Sequence, residues 1–88
     1  MTKYICDGHE YNVTKDGDEY LLSNNYGKHV ATLEREPAGG EEWWVLLPNG
    51  ELIARWHENT YPDNTLESEG VQAYVAWAID NETVEGHS

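Results

Sequence analysis

Apolar positions along this chain fall in short runs broken by Gly, Asn and Asp, and a helical pattern takes over only after residue 64. The first run, Lys3 to Cys6, is closed by Asp7-Gly8. Glu10 to Thr14 and Glu19 to Ser23 flank Lys15-Asp16-Gly17-Asp18, and an Asp-Gly pair between β-branched and aromatic runs is a strong hairpin signal. A two-residue loop there pairs Val13 with Tyr20 and Tyr11 with Leu22, setting four apolar side chains on one face. A turn cluster at Ser23 to Gly27 precedes a strand from His29 to Arg35, which Pro37-Ala38-Gly39-Gly40 ends.

The next hairpin joins Glu42 to Leu47 with Glu51 to Trp56 through Pro48-Asn49-Gly50. A two-residue Asn-Gly loop would put Pro48 where the ladder needs an N–H, and proline has none. A type I turn with Pro48 at its first corner and Gly50 in the left-handed bulge position removes the conflict. That three-residue loop pairs Leu46 with Leu52 and Trp44 with Ala54, and it predicts Trp44 and Trp56 on the core face. Trp43 and Arg55 are then solvent-accessible neighbours on the other face, beside Val45 and Ile53. A one-residue slip exchanges the two faces.

Beyond Tyr61-Pro62 the spacing of Val71, Tyr74, Val75, Ala78 and Ile79 predicts one helix over about 65–80. Asn64 as N-cap with Glu67 three residues on approximates a capping box. Gly70 disfavours helix by up to about 1 kcal/mol relative to Ala, which predicts a loose first turn. The expected fold is a single α+β domain spanning 1–88. It is an antiparallel β-meander of about five to six short strands within 3–57, covered by one C-terminal α-helix, with an acidic tail over 81–88.

Charge changes the picture. Five Lys and Arg face seventeen Asp and Glu, a formal net charge of −12. Direct nucleic-acid binding and adhesion to an anionic membrane both need basic clusters and are not expected. No apolar stretch reaches the ~18 residues of a membrane span, and the opening residues lack the apolar run of a secretory signal. With Cys6 alone, a reducing, cytoplasmic setting is expected.

No catalytic residue, cofactor or metal is expected. Cys6 and four scattered His do not make a nucleophile–base pair or a zinc ligand set. Asp16-Gly17-Asp18-Glu19 lacks the remaining oxygen ligands of a calcium loop and is explained by the hairpin. From His57 onward there is no Lys or Arg, while Glu58, Asp63, Glu67, Glu69, Asp80, Glu82 and Glu85 form a negative region. The first six of these, with Trp43 and Arg55, are the candidate partner-binding residues. Small, acidic, aromatic-rich and without catalytic motifs, the chain is similar in composition to phage-encoded inhibitors of host defence, including nucleic-acid mimics and anti-CRISPR proteins. That likeness implies a non-enzymatic inhibitor acting by charge mimicry or steric block. Its partner would be a basic, nucleic-acid-handling protein, and it would itself be a monomer or weak homodimer. The alternative is a structural or accessory domain that self-associates or docks through an aromatic sheet face.

Overall fold

The structure, a computed structural model, describes residues 2–81, and of Ala38 and Asp63 the backbone only. Six strands pair antiparallel strictly in chain order: β1 (Thr2–Cys6), β2 (His9–Asp16), β3 (Glu19–Asn24), β4 (His29–Arg35), β5 (Glu42–Leu46) and β6 (Leu52–His57). One helix, α1 (Leu66–Asp80), follows and lies on one face of the sheet, touching β4 and β5 and reaching both edge strands. This is the expected α+β meander with a C-terminal helix. The tail, including Glu82, lies outside the described residues.

The core is the seam between sheet and helix. Tyr11, Val13, Leu22, Ala31, Leu33 and Val45 come from the sheet, and Leu66, Val71, Tyr74, Val75 and Ala78 from α1. Complete burial of a side chain such as Leu33 or Val75 contributes about 1.5–3 kcal/mol. Ile79, expected on this face, is instead 47 % exposed. Gly70 has a packing role rather than a fraying one. A Cβ at Gly70 would stand 3.2 Å from Leu33 Cδ2, so the helix axis comes as close to β4 as a side-chain-free position allows.

The β2–β3 hairpin has a two-residue loop, but its loop is Gly17-Asp18, one residue later than expected. Val13 therefore pairs with Leu22 and Lys15 with Tyr20. The reason lies in Gly17, whose positive φ of 63° suits the first loop position. The shift moves partners by two residues and leaves the buried face unchanged.

The second hairpin yields a larger correction. Its turn forms as proline demands: Gly50 N–H donates to the Leu47 carbonyl at 2.8 Å, Gly50 takes φ 92°, and Leu46 pairs with Leu52. Then a β-bulge at Ile53 shifts the register, so Val45 pairs with Ala54, Trp44 with Arg55 and Trp43 with Trp56. One inserted residue exchanges the faces of everything beyond it. Trp43 and Trp56 point to the helix side, half-buried, and Trp44 shares the outer face with Arg55. The expected Trp43–Arg55 neighbourhood is thus overturned. The physical cause is space, because the middle of the seam, where Leu33 meets Gly70, admits Val45 but not an indole.

The expected capping box is absent as well. Thr65 is the N-cap without a side-chain cap bond, after a 3-10 turn over Asp63–Thr65. Local bonds hold this turn, with Thr65 Oγ1 donating to the Pro62 carbonyl and Ser68 Oγ to the Thr65 carbonyl. At the other end Asn81 donates to the Trp77 carbonyl from both its backbone and its side-chain amide.

Asn24 is the one buried polar residue of the described chain. Its Oδ1 accepts from the backbone N–H groups of Tyr26 and Lys28, both at 2.9 Å, and so shapes the β3–β4 turn. Asn24→Ala removes that acceptor and should cost about 1–3 kcal/mol in chemical denaturation. The Leu33–Gly70 approach gives a coupling prediction. Gly70→Ala should destabilise the parent but should be neutral or stabilising in a Leu33→Val background, a non-additivity of about 0.5–2 kcal/mol in a double-mutant cycle.

Candidate functional site

The meander decides where the charge goes. In strands that alternate in direction, the β2–β3 turn, the β4–β5 loop and the end of β6 all lie at the same end of the sheet. The helix also starts there, since Leu66 shares a cleft with residues of the β2–β3 turn and β4. Asp16, Asp18 and Glu19 come from the turn, and Glu36, Glu41 and Glu42 from the loop. Glu58 and Asp63 follow β6, and Glu67 and Glu69 occupy the first helical turn. Ten of the seventeen acidic residues are gathered at one end. The opposite end holds Asp7, Glu51 and Asp80.

Four residues of the negative region predicted from the C-terminal third, Glu58, Asp63, Glu67 and Glu69, therefore belong to a larger one, completed by the N-terminal hairpin and the β4–β5 loop. The pattern was readable in principle, because alternate turns of a meander share an end. Asp80 is exposed but lies far from the others, at the end of the helix. Glu58 is not a bare charge, being ion-paired with Arg35. Arg55 approaches Glu42 at 3.9 Å on the outer face, and Glu42 also accepts from Trp44 Nε1 at 3.0 Å. Of the candidate residues, the structure brings together Trp43, Glu58, Asp63, Glu67 and Glu69 at the acidic end, sets Arg55 beside Glu42 on the outer face, and places Asp80 at the opposite end.

Within the acidic end is a cleft of about 590 Å³, lined chiefly by Tyr20, Trp43, Lys15, Arg35, Asp18 and Glu58. The two rings stand 6.1 Å apart, centroid to centroid. Each carries a cation. Arg35 Cζ lies 5.4 Å from the Trp43 centroid, and Lys15 Nζ lies 5.9 Å from the Tyr20 centroid. Arg35 is held further by a 3.4 Å hydrogen bond to the Gly40 carbonyl. Such contacts attract a cation to the negative face of a ring. Nothing in the sequence singled out Arg35, because its partners are supplied by three separate segments.

His57 sits on the rim of the acidic end. Its Nδ1 accepts from the Asn59 N–H at 3.1 Å, which leaves Nε2 to face the Glu41 carboxylate at 3.5 Å. Cys6 is a half-buried thiol whose pKa is pushed up by burial and then by the Asp7 carboxylate, which disfavours the nucleophilic thiolate. Among the described residues no three His, Cys, Asp or Glu side chains converge on a metal position. No described helix is long and apolar enough to cross a membrane.

No protein-family model, curated protein or solved structure matches this chain.

Glu67 is tied into the fold through β1. Tyr4 Oη donates to its Oε1 at 2.9 Å, joining the edge strand to the first helical turn. Burial, that hydrogen bond and the adjacent carboxylate together push the phenol up to about 12 from 10.0. The phenol stays neutral in the folded state where the unfolded chain has begun to lose the proton. Its contribution to stability is therefore complete below pH 10 and is lost as pH rises through 12. An ultraviolet phenolate titration of the folded protein should show a component near pH 12 that Tyr4→Phe removes. The alkaline fall in stability should be shallower in that variant.

Proposed function

We propose that this protein is a non-enzymatic binding protein whose acidic end occupies the positive surface of a basic, nucleic-acid-handling protein and so inhibits or regulates it. The observation that carries this reading is the gathering of ten acidic residues at one end of the sheet. Setting Lys15, Arg35 and Arg55 (the last beside Glu42) against them leaves seven net negative charges there. Six strands about 4.8 Å apart make that end roughly 24 Å wide. The density is then one charge per ~3 Å, close to the one per 3.4 Å that each strand of duplex DNA carries along its axis.

A groove that neutralises phosphates with Lys and Arg meets a comparable row of carboxylates here. Binding of this kind gains association rate from charge steering and weakens as salt screens it. Competition with nucleic acid for one groove makes the bound protein an inhibitor by occlusion. The compositional likeness to phage-encoded inhibitors is consistent with that role.

The test uses immobilised protein and a nuclease-treated cell lysate. Basic proteins should be retained at about 50 mM NaCl, released by about 500 mM, and displaced by added duplex DNA. The variant Asp18→Lys/Glu41→Lys alters two exposed carboxylates and should remain folded by circular dichroism. Its affinity for the captured partner should fall by about tenfold or more. A partner that resists salt, DNA and charge reversal alike would show that the acidic end serves solubility alone.

A further inference from the structure

No described element covers the face of the sheet turned away from α1, and its middle carries an ordered pattern. Glu34, Trp44 and Arg55 are cross-strand neighbours in one row over β4, β5 and β6. The adjoining row is Thr32, Leu46 and Leu52. Trp44 and Leu46 are half-buried by their sheet neighbours, yet neither packs against the core, and Leu52 is 40 % exposed. Glu34 has no ion-pair partner among the described residues. The Arg55 side chain is 62 % exposed, and its one carboxylate among the described residues, Glu42, is loosely placed at 3.9 Å.

We infer that this face is the contact surface of a symmetric homodimer, with Trp44 and Leu46 of β5 on the two-fold axis. The first row reads carboxylate, indole, guanidinium. A two-fold axis running along β5 turns it end for end, so that Glu34 of each copy stands over Arg55 of its partner while the two Trp44 rings meet. The second row then places Leu46 on its counterpart and Thr32 over Leu52. An isologous contact requires this self-complementarity, and sheets packed face to face keep their strands within about 30° of one another, as such an axis does. The occupant is a second copy because the row complements itself. Both the unpaired Glu34 and the loosely paired Arg55 gain a partner.

Three short strands give an area at or below the low end of specific interfaces, so a dissociation constant on the order of 10–100 µM is expected. Each copy carries −12, and the axis sets the two acidic ends side by side. Repulsion between them falls as salt is added, so dimerisation strengthens with salt while capture of a basic partner weakens. The opposite signs keep the two readings separable.

Sedimentation velocity of the full chain, up to about 500 µM and at about 20 and 300 mM NaCl, reads this directly. A dimer that tightens about fivefold or more in the higher salt is the expected result. Arg55→Glu and Glu34→Arg should each weaken it about tenfold or more, and the double swap Glu34→Arg/Arg55→Glu should restore it to within about threefold of the parent. Leu46→Glu, which sets like charges on the axis, should abolish it in a protein that circular dichroism shows to be folded. A chain that stays monomeric throughout overturns the inference. So does a dimer indifferent to these substitutions, or a double swap that fails to rescue.

Discussion

The closest approach of helix to sheet, Leu33 against Gly70, governs much of the rest. With no side chain at Gly70, α1 settles onto β4 near the middle of the sheet, and space there becomes the scarce quantity. Beside the larger Tyr11 and Tyr74, small or compact residues line much of the seam: Ala31, Val45, Val71, Val75 and Ala78 are all buried. Indoles do not fit. Trp43 and Trp56 move to the rim of the covered face and Trp44 to the outer face, and the bulge at Ile53 is the device that permits it. The cleft over Trp43 and Tyr20 is thus a by-product of a narrow seam, for the same tight centre that excludes the rings sets them at the edge, where cations can cover them.

A second constraint is electrostatic. Twelve net negative charges resist compaction, and although the topology gathers many of them at one end, holding most carboxylates in turns and at element ends spares them desolvation. There they are solvated and away from the apolar seam. Of the five fixed cations, Arg35 is committed to an internal carboxylate, while Lys3 and Arg55 stand more loosely beside Glu10 and Glu42. Tyr4 and Arg35 show how the acidic end is tied down, one fastening β1 to the helix start and the other linking β4, the β4–β5 loop and the segment after β6. Local neutralisation of Glu58 leaves the surrounding field strongly negative.

Pro48 and Gly50 made the second turn legible from sequence, and the helical spacing of Val71, Tyr74, Val75 and Ala78 made the buried face of α1 legible too. The meander with a terminal helix follows from those short runs and turn residues. What was hidden depended on contacts between distant segments. No local rule marks Ile53 as an inserted residue, because the bulge answers a demand made by Leu33 and Gly70 across the core. The mutual partners of Arg35, Trp43, Gly40 and Glu58 were invisible for the same reason. The acidic end lay between these cases. Its residues are scattered along the chain, but a strictly sequential meander gathers alternate turns, and that arithmetic needs only the strand order.

Strict neighbour-to-neighbour pairing also sets an order of events in time. Every strand finds its partner across a short connection, so the sheet closes few long loops and can assemble progressively as the chain is synthesised. The helix is different, because it comes last and meets strands laid down throughout the earlier sequence. Until residues 66–80 are available, Tyr11, Leu22, Leu33 and Val45 form one face of a nearly finished sheet with nothing over it. The nascent protein thus passes through an interval in which its stickiest surface is already organised and still open. During that interval the crowding of like charges at its edges is a protection, keeping neighbouring nascent chains apart until the helix arrives.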